Sequence, residues 1–258
     1  MTARTKTNTR SKASAPAAPL SDAPFADVVT PAFRLSQIVC DETAHLGKVA
    51  VLYGDPGCGK THAIEHFLKT TSRPTVFTTA TPSPTRKEIF EELIIALTGT
   101  CDDMSTTKIR RQCLALLNDV RPIVAVDEAQ HLSSLWLQQL RSLHDAGRFS
   151  WPLILVGGMG TARRLKTSPE LWSRTGLRAE FAPITGDLLL QTLTEFHPVL
   201  ANTDPSVLRD IDHRYASGNF RLWKNFCEVA FMLLDATSTP DRISPKLARA
   251  TFAKIGMA

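Results

Sequence analysis

The chain is short of every feature that would take it out of the ordinary folded, water-facing class. Its longest unbroken aliphatic or aromatic stretch, Val229–Leu234, falls well below the roughly 18 residues that cross a bilayer, so no membrane association is expected. Its five cysteines (Cys40, Cys58, Cys101, Cys113, Cys227) are odd in number and form no CxxC pair. That argues against a disulfide framework or a zinc ribbon and for a reducing compartment. No apolar segment of the secretory kind follows Met1, and a cytoplasmic location is expected. Charged residues at 21% and hydrophobic ones at 43% exclude wholesale disorder, and 258 residues are enough for one large domain or two small ones.

The net charge of +5 is unevenly spread. Arg4, Lys6, Arg10 and Lys12 stand against Asp22 in the first 25 residues, so more than half of the excess lies in that stretch. Rich in Ser, Thr, Ala and Pro and lacking periodicity, residues 1–27 read as a disordered basic tail, with an organellar transit peptide as a minor alternative. A nucleic-acid surface therefore has to be argued from local placement rather than from overall charge.

Beyond the tail, short apolar runs alternate with helical stripes. Strands are expected at 48–53, 75–79, 123–126, 152–156 and 177–181, with helices between them, including one over about 108–117. Thr30-Pro31 reads as a helix start, and Thr85 with Glu88 has the spacing of a capping box. After Pro183 only helical patterns follow. The fold class expected is α/β, a three-layer αβα parallel sheet over residues 28–183, followed by an all-helical lid over 184–258.

Gly54-Asp55-Pro56-Gly57-Cys58-Gly59-Lys60-Thr61 matches GxxxxGK[ST] in full, between a strand and a helix. Such a loop turns successive N–H groups around a polyphosphate, the helix N-terminus adds positive potential, Lys60 reaches the outer phosphates, and the Thr61 hydroxyl binds Mg²⁺. His62, the next residue, is counted with this nucleotide-binding segment. ATP and Mg²⁺ are the expected cofactors. The strand Ile123–Val126 ends in Asp127 and Glu128. Asp127 is expected to hold Mg²⁺, and Glu128 to orient and deprotonate the attacking water. Two lesser signals accompany the loop. Cys58, near a helix N-terminus, could have a lowered thiolate pKa. His62, Glu65 and His66 match the HxxEH zinc-peptidase spacing, which conflicts with phosphate binding on the same helical turn.

GDPGCGKT, VDEAQHL, Leu171-Trp172-Ser173-Arg174 and Gly218-Asn219-Phe220-Arg221 occur in the order seen in AAA+ ATPases, which the chain resembles over residues 28–258. The resemblance implies that Arg174 is an arginine finger acting on a neighbouring subunit and that Arg221 is the lid's sensor arginine, contacting nucleotide in cis; the plain alternative makes Arg174 or Arg178 a surface partner for an acid and Arg221 a helix-surface charge. It also exposes a departure. The family usually carries a polar sensor at the end of the strand that here reads Leu155-Val156-Gly157-Gly158, so slow hydrolysis is expected, with Thr161 as a possible substitute.

Among AAA+ proteins the chain resembles the transposition-regulator ATPases, the MuB, TniB and TnsC group, through Thr30-Pro31-Ala32, VDEAQHL, LILVGG and SRTGLRAEFAPIT. That resemblance implies ATP-dependent homo-oligomers, rings or helical filaments, on double-stranded DNA, and a transposase as partner. Arg86, Lys87, Thr106 and Lys108, at or near predicted helix starts, are the candidate DNA contacts. Two alternatives stay open: a nucleotide switch acting on a protein partner in secretion, replication or signalling, and a small-molecule P-loop kinase.

Overall fold

The computed structural model describes residues 23–82, 85, 87–148, 150–167, 169–234 and 241–257. Among them, β1 (Val49–Gly54), β2 (Thr75–Thr79), β3 (Ile123–Asp127), β4 (Leu153–Gly157) and β5 (Leu177–Phe181) form one parallel sheet in the order β2-β3-β4-β1-β5. In the three central strands, residues alternate between two dry faces, as the period of two requires. Val49, Val51, Val124, Val126, Leu153 and Leu155 point into one core. Ala50, Leu52, Ile123, Ala125, Ile154 and Val156 point into the other. Each fully buried Val, Leu or Ile contributes about 1.5–3 kcal/mol, so these short runs hold the sheet without help from charge.

Helices α1 (Pro31–Leu46) and α2 (Lys60–Thr70) cover the second face. Thr30 caps α1 by accepting a hydrogen bond from the Phe33 amide at 3.0 Å, with Pro31 at the first helical position. The first face carries α3 (Glu88–Thr98), α4 (Thr106–Val120) and α5 (Ser134–Ala146). Two short helices, α6 (Met159–Lys166) and α7 (Pro169–Arg174), lead from β4 to β5. After β5 come α8 (Gly186–Phe196), α9 (Pro198–Ala201), α10 (Pro205–Ile211), α11 (Phe220–Met232) and α12 (Pro245–Lys254), which enclose a third core around Trp223, Phe226 and Phe252. Among the described residues no helix is long and apolar enough to cross a membrane.

The αβα layer with helices behind it is the architecture expected, with differences at three places. The chain expected to be a tail through residue 27 makes ordered contacts from Ala23 onward. The Ala26 amide donates to the Phe196 carbonyl at 2.9 Å, His197 Nε2 lies 3.0 Å from the Ala23 carbonyl, and Phe25 packs on Phe196. The remainder of that stretch, 1–22, lies outside the described residues. The capping box is half formed: Glu88 accepts from the Thr85 amide at 3.0 Å and from the Thr81 hydroxyl, yet the helix starts at Glu88 itself. Finally, α4 begins two residues before its expected start, because its first turn is polar and carries no hydrophobic signal.

Candidate functional site

With β4 inserted between β1 and β3, the carboxyl ends of those strands border a crevice, which is where open α/β sheets bind ligands. A cleft of about 430 Å³ lies there, lined by Gly57, Lys60, Thr61, Glu128, Gln130 and Arg221 among others. The loop from Gly54 to Thr61 leaves β1 and runs into α2. Gly57 has φ +76°, and a Cβ there would lie 2.1 Å from Asn219 Oδ1 of the lid, so the position excludes any side chain. Asn219 explains the crowding: its Nδ2 donates to the Pro56 carbonyl at 2.7 Å while its Oδ1 caps α11 at the amides of Arg221 and Leu222. One side chain thus ties the lid to the phosphate loop and brings Arg221 to the cleft.

Lys60 folds over its own loop, its Nζ donating to the carbonyls of Gly54 at 3.1 Å and Asp55 at 2.7 Å. Burial lowers its pKa, against the opposing pull of the Cys58 thiol and of Asp127, Glu128 and Asp55. The Thr61 hydroxyl donates to Asp127 Oδ2 at 2.8 Å, and the Glu128 amide donates to Asp127 Oδ1 at 2.7 Å. Asp127 is buried, Glu128 is half-exposed, and Glu128 sits in the left-handed region at φ +53°. That conformation turns its side chain back toward the loop that follows, where Gln130 donates to it and His131 Nε2 lies 3.7 Å away.

This donor set fits a magnesium polyphosphate. A hydroxyl and a carboxylate in contact at the edge of the cleft are the hard oxygen ligands that Mg²⁺ takes. A lysine whose hydrogen bonds go to neutral loop carbonyls can exchange them for charged phosphate oxygens.

Next to the phosphate side opens a second, apolar crevice of about 170 Å³, lined by Val28, Phe33, His62, Phe181, Phe196 and Phe220. The His62 ring stacks on Phe33 with centroids 5.8 Å apart and lies 3.6 Å from Asp27. Phe196 meets Phe220 edge-on at 5.3 Å. His66 also packs on Phe33, at 5.2 Å, so both histidines of the HxxEH pattern serve one aromatic cluster. Among the described residues no group of three or more His, Cys, Asp or Glu could hold a metal ion. Of this crevice's lining, the sequence points to Cys58, Gly59 and His62 but not to the phenylalanines, which come from distant segments with no common spacing.

Residues 43–165 match the family model described as AAA domain. The backbone is similar to that of Cdc6p from Pyrobaculum aerophilum, with a TM-score of 0.67 and 15% identity over 92% of this chain and 70% of that one, which speaks for the fold. The segment 43–165, just under half of the chain, matches as an AAA domain. Two curated relatives come from a Mu-like prophage and from phage Mu. The Mu-like prophage FluMu DNA transposition protein B of Haemophilus influenzae is 29% identical over 133 residues, 49% of this chain and 46% of that protein. The ATP-dependent target DNA activator B of Escherichia phage Mu is 28% identical over 109 residues, 42% of this chain and 34% of that protein. The match spans less than half the length of either relative.

The remaining predicted residues of the AAA+ domain fall elsewhere. Arg174 lies at the amino edge of the sheet, lining a pocket with Leu46, Lys48, Val49 and His144. Val49 opens β1, and a strand rises about 3.3 Å per residue, so Arg174 is separated from the cleft of its own chain by roughly the length of that strand. Its Nη1 contacts Asp145 Oδ1 at 2.5 Å. Arg178 lies over the Trp172 ring at 3.4 Å and donates to the Trp172 and Thr175 carbonyls. Lys87 is held by Asp103 at 2.7 Å and Glu91 at 3.1 Å, whereas Thr106 and Lys108 are exposed at the start of α4. Arg86 lies outside the described residues. The Cys58 thiol is a correction: it is buried, and that burial raises its pKa more than nearby Lys60 lowers it. Thr161, the possible substitute for the polar sensor, is buried, with its Oγ1 against Gly157.

Proposed function

We propose that this AAA+ domain binds ATP with Mg²⁺ at the carboxyl edge of its sheet and hydrolyses it slowly. We further propose that it assembles in the nucleotide-bound form on double-stranded DNA to act on a transposase. The observation that carries the nucleotide part is the meeting of Lys60, Thr61, Asp127 and Glu128 at one cleft, sealed by the 2.8 Å bond between Thr61 and Asp127. Similarity to the two phage proteins supports the DNA and transposase part.

In this reading the loop Gly54-Asp55-Pro56-Gly57-Cys58-Gly59 cradles the phosphates, with the backbone N–H groups of Gly57, Cys58 and Gly59 offered to them, while the Asp55 amide stays bonded to the Phe181 carbonyl at 3.1 Å and Lys60 exchanges its loop carbonyls for phosphate oxygens. Thr61 and Asp127 hold the metal, which when bound neutralises charge on the phosphate oxygens. Glu128 orients the water and accepts its proton. Arg221, brought in by the Asn219 tie, covers the phosphates from the lid, and the Phe33–His62 seam receives the base. Arg174 is placed to serve the cleft of a neighbouring copy, since it faces away from its own; this makes full activity depend on a homo-oligomer, ring or helical filament. Cytoplasmic DNA is the expected setting.

DNA contact in this reading centres on Thr106 and Lys108, with Lys87 released from Asp103 to join them. Phosphate contacts of this kind are sequence-tolerant and weaken steeply with salt. The test is phosphate release with and without duplex DNA, paired with electron microscopy in ATP. The expected result is stimulation by DNA, filaments or rings in ATP, and turnover below about 10 s⁻¹. Lys108→Ala should lower DNA affinity more than Lys87→Ala. Assembly and turnover indifferent to DNA would favour the alternative, a nucleotide switch acting on a protein partner.

A further inference from the structure

β3 is followed by a single 3₁₀ turn, Ala129–His131, that carries Gln130 into the cleft between Glu128 and the end of β4. The turn is fixed from the far side: Arg164 of α6 donates to the Gln130 carbonyl at 2.9 Å and also to the Leu132 carbonyl. The Gln130 side chain is held at both ends. Its Oε1 accepts from the Gly158 amide at 2.8 Å, and its Nε2 donates to Glu128 Oε2. These contacts settle which way the amide points, since the flipped form would set oxygen against carboxylate and NH₂ against N–H.

The two glycines ending β4 make room for it. A Cβ on Gly157 would lie 2.6 Å from Gln130 Oε1 and 2.3 Å from Thr161 Oγ1, so no side chain fits there while Gln130 occupies the gap. A Cβ on Gly158 would meet Gln130 at 3.8 Å, ordinary contact, and Gly158 has φ −71°, ψ 176°, a conformation any residue adopts.

We propose that Gln130 is the positioning residue of the hydrolytic site, bridging the general base Glu128 to the Gly158 backbone and supplying from the turn after β3 the polar group that the end of β4 lacks. The inference rests on the hydrolytic reading above. A primary amide has two donors and an acceptor with two lone pairs. The bridge uses one donor and one lone pair, which leaves one of each, on a side chain that lines the cleft, to orient the water that Glu128 deprotonates. The bridge also restrains a glutamate whose backbone is in the left-handed region and whose side chain is half-exposed. Without it the carboxylate is free to turn into solvent.

The test compares wild type, Gln130→Ala and the double variant Gln130→Ala/Gly158→Asn. ATP affinity is read by calorimetry, kcat by phosphate release with duplex DNA, and the Gly158 amide by hydrogen exchange. In Gln130→Ala, kcat should fall about ten- to a hundredfold, the worth of one hydrogen bond to a charged group, with ATP affinity within about threefold of wild type. The Gly158 amide should exchange at least about tenfold faster while Leu155 and Val156 stay protected. Asn at 158 should recover most of the lost kcat, which a variant damaged only in its folding would not show.

Unchanged kcat with a protected Gly158 amide in Gln130→Ala would overturn the proposal. So would a loss of ATP affinity equal to the loss of kcat, which would make Gln130 a structural prop. A wild-type chain that binds ATP yet releases no phosphate would sink the hydrolytic reading instead. The bridge would then be decided by the Gly158 amide alone: accelerated exchange supports it and unchanged protection removes it.

Discussion

The phosphate half of the cleft is made of backbone amides, one lysine and two acids carried on consecutive stretches at the ends of β1 and β3. The half beside it is an apolar seam gathered from the chain before α1, from α1 itself, α2, β5 and the lid. The first works through charge and fixed dipoles, so its residue types and spacing are dictated by phosphate chemistry. The second works through shape and burial, so many residue combinations would serve. The contrast explains why one half depends on individual atoms while the other tolerates rearrangement, and it sets the sizes of the effects expected from substitution.

The largest effect is expected on the charged side. Glu128→Gln removes the proton acceptor while keeping shape and hydrogen-bonding capacity, so kcat should fall about 10²- to 10⁴-fold with ATP binding retained. Nucleotide-loaded assemblies should then persist in electron micrographs taken long after ATP addition. Hydrolysis at the wild-type rate in this variant would remove Glu128 from the base role.

A smaller effect is expected on the apolar side. Phe33→Ala takes away the ring on which both His62 and His66 pack. Stacking on a base is worth about 1–3 kcal/mol, so ATP affinity should drop roughly five- to a hundredfold. Inorganic triphosphate, which has no base, should bind the variant as it binds wild type. An equal loss for both ligands would show that the seam props up the phosphate loop rather than receiving a base.

Legibility in the sequence follows the same division. The three central strands are readable because runs such as Ile123–Val126 and Leu153–Val156 are buried on both faces and must be apolar throughout, whereas the edge strand Thr75–Thr79 shows through its β-branched residues. The glycine loop and the acids after β3 were readable because their chemistry is contiguous in the chain. The Asn219–Pro56 tie was not, nor the Gln130–Gly158 bridge, since each joins residues far apart in sequence through a single side chain. Gly157-Gly158 was noticed as a missing side chain, but its counterpart two residues after Glu128 carries no spacing that points to it. The Cys58 expectation went astray for a different reason: helix position argues for a thiolate, and burial outweighs it.

The smallest effect lies outside the cleft and compares the sheet layers with the lid. His144 of the sheet layers donates from Nε2 to the Gly47 carbonyl at 3.0 Å, and His197 lies at the α8–α9 junction of the lid. Both are buried, and burial lowers both pKa values below the ordinary 6.5. The unfolded chain therefore binds protons that the folded chain refuses. Their contribution is fully present above about pH 6.5 and is lost as pH falls below it. The thermal midpoint should decline from pH 7.5 to 5.5, and less steeply in His144→Phe. An identical decline in the variant would show that His144 is not among the groups responsible.

The central claim is that Lys60 and its loop grip a magnesium-bound triphosphate at the carboxyl edge of the sheet. Titration calorimetry of ATP into wild type and Lys60→Ala, with and without Mg²⁺, tests it most directly. The account predicts one site per chain on wild type with a dissociation constant between about 1 μM and 1 mM, weakened at least about a hundredfold in Lys60→Ala. Equal heats of binding for the two proteins, or none from folded wild type in magnesium buffer, would contradict it.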